Sequence, residues 1–403
     1  MRTSRRAAAV GAMRLAALLR LAEKSGATDI ALGLPGGGPP PPVLAGAIGA
    51  MSAGLNQYAD PHGLAALRGA IADMVGEARN VAVDPQAELT ITCGATEGVF
   101  VALLATTDPG DEVIVLEPFF ELYPGMVRLA GAVPVPVRLT APAWRLDETA
   151  LRAAVSTRTR AILVNTPHNP TGRVFDEAEW GAIRGVCVEH DLTCITDEVY
   201  EHFAFDGRRH RSPLGDRLWS PGAAKPGPGD HAIVVSSLSK TLEITGWRIG
   251  YCIAPPEVTA VLRRAHEHTT LGAARPLQAG AAALPDLRTL TASLAGRRDH
   301  LERQRDLMTD GLLAAGLDVR RPDGGWYVIA GTGPLGRPAS DLATELVDAA
   351  RVLVAPGTPF FADPADGDRW IRATFVRDPG QTAAALGRMT AHLGRLVRPL
   401  PAQ

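Results

Sequence analysis

The sequence predicts an α/β protein, with a three-layer αβα domain on a mainly parallel sheet followed by a smaller α+β domain. Short apolar segments alternate with helical stretches through the middle of the chain, and most are apolar at nearly every position, as in strands covered on both faces. The 403 residues, 46% of them hydrophobic, are enough for two or three folded domains. After about Ala283 a long charged helical stretch begins, which indicates a change of domain.

Each predicted element has a local signal. The predicted strands are Glu88–Thr92, Glu112–Leu116, Arg160–Asn165, Leu192–Thr196, His231–Ser236 and Ile249–Ala254. Asp176, followed by Glu179, predicts the start of a helix that ends near His190. A helix over Gly296 to Ala315 and a strand over Gly324–Ala330 are predicted for the smaller domain. The expected units are an N-terminal segment (1–50) joining the small domain and a substrate loop, a large domain (51–283) and a small domain (284–403).

Charge and cysteine content exclude several classes of function. Lys and Arg total 41 and Asp and Glu 43, and a net charge of −2 does not favour a nucleic-acid or membrane partner. The four cysteines are Cys93, Cys187, Cys194 and Cys252. They form no CxxC pair, so we expect buried thiols in a reducing compartment, without a disulfide framework or metal site.

The N-terminal residues Arg2 to Leu21 combine basic residues with Ala and Leu. Arg14 and Arg20 interrupt the apolar run, which favours an amphipathic surface helix, packed on a second subunit, over a signal peptide. Apolar runs elsewhere stay well short of the ~20 residues that a membrane span requires. We therefore expect a cytoplasmic protein.

The segment SSLSKTLEITGWRIG, residues 236–250, carries the strongest chemical signal. Lys240 lies just beyond a predicted strand, and its amine can form a Schiff base with an aldehyde. Ser237 and Arg248 flank it and can bind a phosphate. The segment therefore suits a phosphate-bearing aldehyde cofactor, although a lysine in isolation is more often a solvated surface charge.

Two further strands end in polar motifs. NTPHNPTG (165–172) follows one strand and TDEVY (196–200) the next. Because ligands in open α/β sheets bind beyond the carboxyl ends of the strands, Asn169, Asp197, Tyr200 and Lys240 should face one crevice. A carboxylate at Asp197 suits a pyridinium N–H. Taken singly, a plain turn and a helix N-cap would explain the same residues.

Two more motifs fit such a cofactor. CGATE (93–97) follows a strand and opens a helix, so its backbone N–H groups can receive a phosphate. In EPFF (117–120) an aromatic side chain follows another strand and can stack on a cofactor ring, or belong to the core.

From about Ile30 to Val376 the chain resembles the class I/II aminotransferases, pyridoxal-phosphate (PLP) enzymes of fold type I. It is most similar to their kynurenine/glutamine transaminase (cysteine-conjugate β-lyase) branch. The resemblance is carried by LNQY (55–58), EPFF with Tyr123 and Met126, VNTPHNPTG, ITDEVY, SLSKTLEITGWRIGY and WIRATFV. These motifs are specific for cofactor and fold, and much less so for substrate.

The resemblance implies a role for each matching residue. Lys240 would form the aldimine with PLP and shift the proton, with Asp197 and Tyr200 as its catalytic partners. Asp197 would pair with the ring nitrogen, and Asn169 and Tyr200 with the phenolic oxygen. Phe120 would stack on the ring, while Gly94, Ala95, Thr96, Ser237 and Arg248 would hold the phosphate. Tyr58 would reach the phosphate of a neighbouring subunit, which implies a homodimer with shared active sites. Arg372 would bind the substrate α-carboxylate, with Asn169 and Tyr123 also in the substrate site.

Two segments depart from the family pattern. In the N-terminal substrate loop, Pro35 replaces the usual glycine and removes a backbone donor, because proline has no N–H. This substitution indicates either drift in the loop or a mouth widened for a larger substrate. Arg275 stands where relatives have a small polar residue, and it can bind an acidic group, reinforce the cofactor phosphate or remain solvated.

The leading hypothesis is an aminotransferase that converts an L-amino acid to its 2-oxo acid. The alternative uses the same cofactor for β- or γ-elimination, replacement or carbon–carbon bond formation in a biosynthetic pathway. A ligand-sensing regulator without catalysis is a third possibility, but the region before Ile30 lacks a basic helix-turn-helix.

Overall fold

The predicted strands are present. Those of the large domain differ from the prediction by at most one residue at each end, and the strand predicted over Gly324–Ala330 begins three residues later, at Tyr327. The computed structural model describes residues 2–215, 231–284 and 287–396. Its strands are β1 (Thr28–Asp29), β2 (Leu89–Thr92), β3 (Glu112–Glu117), β4 (Val133–Arg138), β5 (Thr159–Asn165), β6 (Thr193–Asp197), β7 (Ala232–Ser237), β8 (Gly250–Ile253), β9 (Asp318–Val319), β10 (Tyr327–Gly331), β11 (Val352–Leu353), β12 (Ala355–Pro356) and β13 (Trp370–Thr374).

The central sheet is mainly parallel, as predicted. Within the described residues, seven strands form it in the order β2-β8-β7-β6-β5-β3-β4. Strands β3 to β7 all run in one direction, whereas β8 is antiparallel to both β7 and β2. Every residue of β3 is buried. Its side chains alternate between two apolar cores, one on each face of the sheet.

Strand β4 was missed by the sequence analysis. Its sequence, VPVPVR, contains Pro134 and Pro136, and proline argues against a central strand because it cannot donate to the ladder. In the structure β4 lies at the edge of the sheet and pairs with β3 alone. An edge strand tolerates proline, because one side of its ladder has no partner strand to accept from its N–H groups.

Helices cover both faces of this sheet. The α-helices are α1 (Arg5–Ala8), α2 (Arg14–Ser25), α3 (Pro41–Ser52), α4 (Ala65–Arg79), α5 (Gly94–Thr106), α6 (Tyr123–Ala130), α7 (Glu148–Ala153), α8 (Glu177–His190), α9 (Leu238–Thr241), α10 (Pro256–Thr269), α11 (Arg275–Ala282), α12 (Leu287–Ala314), α13 (Ala339–Glu345), α14 (Pro364–Gly367) and α15 (Pro379–Leu396). Helices α5, α6 and α10 pack on one face, and α7 and α8 on the other. The αβα layering is therefore confirmed.

The predicted helix boundaries hold in part. Helix α8 begins after the predicted cap: Asp176 accepts a hydrogen bond from the backbone N–H of Glu179, whose side chain bonds back to the N–H of Asp176. Helix α12 begins at Leu287, nine residues before the predicted Gly296.

A second sheet follows in the C-terminal part of the chain. Strands β12, β13, β10 and β9 form an antiparallel sheet, on which α12 and α13 pack. The N-terminal segment joins this part, because β1 pairs with β11. The boundaries at residues 50 and 283 stay predictions. Across the part of the chain that the structure describes, none of the helices is both long and apolar enough to span a bilayer.

Candidate active site

Three neighbouring strands end at the same level. In the sheet register, Asn165 at the end of β5 pairs with Asp197 at the end of β6, and Asp197 pairs with Val235 in β7. Ser237 is the last residue of β7, and the short helix α9 that follows carries Lys240. Parallel strands therefore bring these polar groups to one edge of the sheet.

A cavity of about 380 Å³ opens at this edge. Most of the predicted site residues line it: Ala95, Thr96, Phe120, Tyr123, Asn169, Asp197, Tyr200, Ser237, Lys240, Arg248 and Arg372. Asn169, Asp197, Tyr200 and Lys240, which were predicted to face one crevice, thus all line this cavity.

Four predicted site residues lie outside the lining of this cavity. Gly94 lies just behind it, under the guanidinium of Arg248. Tyr58 is 82% exposed, and Arg275 is partly exposed at the start of α11. Pro35 lines a neighbouring cavity of about 330 Å³ together with Glu243 and Arg297. The chain turns away after Leu34, so Pro35 itself does not face the main cavity, and its predicted role in substrate binding stays a prediction, as do those of Tyr58 and Arg275.

The carboxylate of Asp197 is held at the floor of the cavity. Its Oδ2 accepts a hydrogen bond of 2.7 Å from the hydroxyl of Tyr123, and its Oδ1 one of 3.3 Å from the N–H of Val199. Burial raises the pKa of Asp197 to about 6, while the hydrogen bond from Tyr123 opposes that rise. The group is therefore mostly ionised at neutral pH and can pair with a cationic ring N–H.

Tyr123 was predicted to bind substrate, and in the structure its hydroxyl is committed to Asp197. Burial, together with the nearby charge of Asp197, raises the pKa of Tyr123 well above its usual value, so this hydroxyl remains a donor. Tyr123 therefore orients the carboxylate that faces the cavity.

Lys240 points into the same cavity. Its Nζ lies 4.5 Å from the centre of the Trp326 ring and 5.7 Å from that of Tyr200. Burial lowers its pKa to about 8; the charge of Asp197 opposes this shift, and Arg248 and Arg372 add to it. About a tenth of the amine is therefore neutral, and nucleophilic, at pH 7.

A polar cradle lies at the N-terminus of α5, where Ala95, Thr96 and Arg248 line the cavity. The first N–H groups of a helix have no partner within it and attract anions. Gly94 has a left-handed φ of 77°, and a Cβ there would lie 2.5 Å from Nη2 of Arg248. Arg248 donates to the Thr96 hydroxyl at 3.4 Å and, through Nη1, to the backbone oxygen of Thr245 at 3.1 Å. Glycine at position 94 thus allows the guanidinium to approach the helix end.

The acidic residue in the first turn of α5 is turned away from this cradle. Glu97 accepts hydrogen bonds from the N–H of Cys93 at 2.5 Å, and through Oε1 from Thr270, also at 2.5 Å. His266 lies 2.9 Å from the same Oε1. Burial raises the pKa of Glu97, but the hydrogen bond and charge of His266 outweigh that effect and hold it below the usual range. The carboxylate therefore stays behind the helix end and leaves the cradle cationic.

Arg372 closes the cavity from β13. It is 1% exposed; Nη1 donates to Oδ1 of Asn169 at 3.1 Å and Nη2 to the backbone oxygen of Ala31 at 3.0 Å. The centres of the Tyr327 and Phe360 rings lie 4.0 Å and 4.7 Å from its guanidinium carbon. Its buried Nε has no hydrogen-bond partner among the described residues. The guanidinium thus keeps capacity to bind an anion in the cavity.

Several lining residues were not found from the sequence. Tyr327, which packs on Arg372 and hydrogen-bonds Tyr200, lies in the predicted strand GGWYVIA, but no motif distinguishes it from a core residue. Asn165 donates to the backbone oxygen of Asp197 at 2.9 Å and accepts from the N–H of Asn169 at 2.7 Å. Asn165 ends the predicted strand Arg160–Asn165 and begins the NTPHNPTG motif, and this position could have indicated a site residue from the sequence.

The N-terminal residues also contribute. Met13, just before α2, and Ala16, in its first turn, line the cavity. The sequence predicts that this segment is a surface helix packed on a second subunit. In the structure the first turn of α2 borders the cavity of its own chain, and packing of this segment on a second subunit stays a prediction.

Comparison with known proteins defines the family. Residues 31–389 match the family model of the aminotransferases of class I and II. The chain belongs to this family, and it is an aminotransferase.

Two relatives illustrate the similarity. The probable N-succinyldiaminopimelate aminotransferase DapC of Mycobacterium tuberculosis (strain CDC 1551 / Oshkosh) is 36% identical over 382 residues, 92% of this chain and 93% of the relative. Kynurenine–oxoglutarate transaminase 3 of Rattus norvegicus is 34% identical over 309 residues, 72% of this chain and 65% of the relative. The predicted likeness to kynurenine transaminases is thus confirmed, although the substrates in the two names differ.

The solved structure of N-succinyldiaminopimelate aminotransferase from Mycobacterium tuberculosis has the same fold. It superposes with a TM-score of 0.88 at 34% identity, over 97% of this chain and 100% of that chain. The prediction of a fold-type I aminotransferase is therefore confirmed.

Proposed function

We propose that this aminotransferase binds pyridoxal 5′-phosphate in the cavity and uses it to convert an L-amino acid to its 2-oxo acid. The observation that carries the proposal is the convergence of three groups on one cavity: the amine of Lys240, the carboxylate of Asp197 and the cradle at the start of α5. They match, in turn, an aldehyde, a pyridine nitrogen and a phosphate.

The remaining residues fit the same cofactor. The space that a Cβ at Gly94 would fill is taken by Arg248, which adds a planar cation to the cradle. Ser237, at the end of β7, adds a hydroxyl there. Phe120 and Tyr200 also line the cavity, where an aromatic ring and a hydroxyl would contact the cofactor ring and its phenolic oxygen.

When bound, pyridoxal phosphate supplies an aldehyde that links covalently to amines and a ring that withdraws electrons from the substrate Cα. Asp197, ionised at neutral pH, favours the protonated ring nitrogen by charge pairing. Arg372 binds the substrate carboxylate and so orients the Cα–H bond toward Lys240. Because its pKa is lowered, Nζ of Lys240 can take the proton from the substrate Cα. It can then deliver that proton to the cofactor carbon that carried the aldehyde.

The proposal includes a homodimer with shared active sites. Helix α3 exposes a row of apolar side chains, Leu44, Ile48 and Met51, which are 44%, 55% and 45% exposed. Tyr58, 82% exposed, follows this helix in the chain. Apolar side chains grouped on one face of a helix mark an interaction surface, and a second copy of the chain would cover them. Sedimentation tests this proposal, and a monomer at micromolar concentration would overturn it.

We also propose that the enzyme works in the cytoplasm. Its four cysteines are free, three of them buried, as is typical of proteins in reducing compartments. Recovery of the protein in a secreted or membrane fraction would contradict this.

The reaction is tested with the cofactor-loaded protein, a panel of L-amino acids as donors and pyruvate or 2-oxoglutarate as acceptor. We expect each 2-oxo acid formed from the donor to be matched by one amino acid formed from the acceptor, without release of ammonia. Transfer conserves the amino group, whereas elimination releases it. Ammonia or thiol release without a new amino acid would instead support the elimination and replacement reactions, and a product with a new carbon–carbon bond the condensation.

A further inference from the structure

The active-site cavity leaves little room for a substrate side chain. Its volume of about 380 Å³ lies near the lower end of the ~300–1,000 Å³ typical of small-molecule sites. On the proposed function, this volume also holds the cofactor and the reacting part of the substrate. A side chain of more than a few atoms must therefore extend beyond the cavity.

The charges of the lining restrict what that side chain can be. Among the described residues that line the cavity, the cations are Lys240, Arg248 and Arg372. The proposed function uses the first for the reaction, the second for the phosphate and the third for the α-carboxylate. Among the described residues that this chain itself contributes to the lining, no cation remains to pair with a second acidic group of the substrate, and burying such a group unpaired is costly.

The rest of the lining toward the N-terminal segment is apolar. It consists of Met13, Ala16, Leu32, Leu34, Phe120 and Met126. A neutral, apolar substrate side chain is the one that gains from contact with these groups.

A second cavity, of about 430 Å³, lies directly beyond this apolar wall. It lies between residues 10–14, helix α6, the edge strand β4 and the segment 358–364. Its lining includes Val10, Phe119, Leu122, Leu129, Pro136 and Phe361. The charged residues of this lining are Arg14, Glu121 and Arg128; the two arginines are exposed and Glu121 is half-buried, whereas most of the other lining residues are apolar.

The two cavities share two residues, Met13 and Met126. Met126 is 7% exposed and belongs to α6, whereas Met13 is 41% exposed and precedes α2. Methionine is unbranched and changes conformation easily, so a wall built from two methionines can open without moving the backbone. The wall is therefore where an apolar chain would pass from the first cavity to the second.

We propose that Met13 and Met126 form a passage, and that the second cavity is the subsite for the distal part of a long apolar substrate side chain. The substrate class is then an L-amino acid with an extended uncharged side chain, alkyl or aryl-alkyl, together with the matching 2-oxo acid. This inference rests on the proposed function, since it takes the α-carboxylate to lie on Arg372.

Binding of unreactive ligands tests the passage without turnover. The cofactor-loaded protein is titrated by calorimetry with butanoate, hexanoate, octanoate and decanoate, which carry the carboxylate but no amino group. Burial of each added methylene is expected to lower the dissociation constant by about fourfold. We expect this gain to continue to decanoate, because a chain of that length reaches past the two methionines. A gain that stops at hexanoate would overturn the inference.

A variant that fills the second cavity gives the matched comparison. Leu129 lines the second cavity and not the first, so Leu129→Trp should reduce the gain in affinity from butanoate to decanoate by about tenfold or more. Leu104→Trp is the control, because Leu104 is similarly exposed, at 36% against 39%, and lines neither cavity. The ratio of kcat/KM for 2-aminodecanoate to that for alanine should change in parallel.

The outcomes separate this inference from the proposed function. Binding of butanoate with no dependence on chain length, or a gain that survives Leu129→Trp, would overturn the passage alone. A change in sedimentation of Leu129→Trp with an unchanged gain would show that another copy of the chain covers the second cavity, and would also overturn it. Failure of every ligand and every amino acid to bind would overturn the proposed function and the passage together.

Discussion

Replacing Lys240 with alanine is expected to reduce amino-acid turnover by about 10⁴-fold or more. The substitution removes both the amine that captures the cofactor aldehyde and the base that moves the Cα proton. Among the described residues that line the cavity, none is a second lysine. Single-turnover conversion of an amino acid by cofactor-loaded protein measures the effect.

Lys24→Ala is the matched control for this variant. The sequence contains three lysines, and Lys24 is exposed on α2, away from the cavity lining. Its replacement should leave turnover within about twofold, as expected of a surface change that removes no contact. Borohydride reduction gives a readout independent of turnover, because it should fix the cofactor to the peptide that contains Lys240. Turnover retained in Lys240→Ala, or label recovered on another peptide, would remove Lys240 from its proposed role.

Replacing Arg372 with alanine is expected to weaken amino-acid binding by about 2–5 kcal/mol, or roughly 30-fold or more in the dissociation constant. The guanidinium is buried between two aromatic rings and already donates to Asn169 and Ala31. A carboxylate bound there is largely removed from water, so the loss of its partner leaves a buried, unpaired charge. Titration of cofactor-loaded protein with norleucine measures the change.

The matched ligand for this variant is pentylamine, which is norleucine without its carboxylate. The ratio of the two affinities should fall in Arg372→Ala, while pentylamine binding itself changes little. Arg372→Lys should restore part of the loss, because a lysine supplies charge but not the planar fork. Arg369→Ala serves as the control, since Arg369 is exposed in the same segment of the chain. An unchanged ratio in Arg372→Ala would show that the carboxylate is bound elsewhere.

The central strands and the polar motifs that follow them in the chain were predictable, because each is recognised from a short stretch of sequence. A strand buried on both faces is apolar throughout, and in a parallel sheet the residues after each strand share one edge. Asn169, Asp197 and Lys240 could therefore be placed together before any contact was known. Strand β4 was not predictable in this way. Its two prolines are acceptable only at a sheet edge, and the residues of the segment do not indicate that the strand lies at an edge.

Contacts between residues far apart in the chain were also not predictable. Tyr123 was predicted to lie in the substrate site, and the sequence did not indicate that its hydroxyl donates to the carboxylate of Asp197. Pro35 lines a neighbouring cavity in the structure, and its predicted role beside the substrate stays a prediction. In both cases the side chain or the loop has several possible partners, and packing of other elements selects one of them.

By itself, the sequence determined the fold class, the family and the chemical groups at the strand ends, because these follow from local patterns of apolar and polar residues. The tertiary structure alone decided the shape and charge of the space around them. It brought Arg372 onto Asn169 and Ala31, and it placed Met13 and Met126 in the lining of both cavities. Those contacts join residues far apart in the chain, and only the packing of the N-terminal segment and β13 against the large sheet sets their distances.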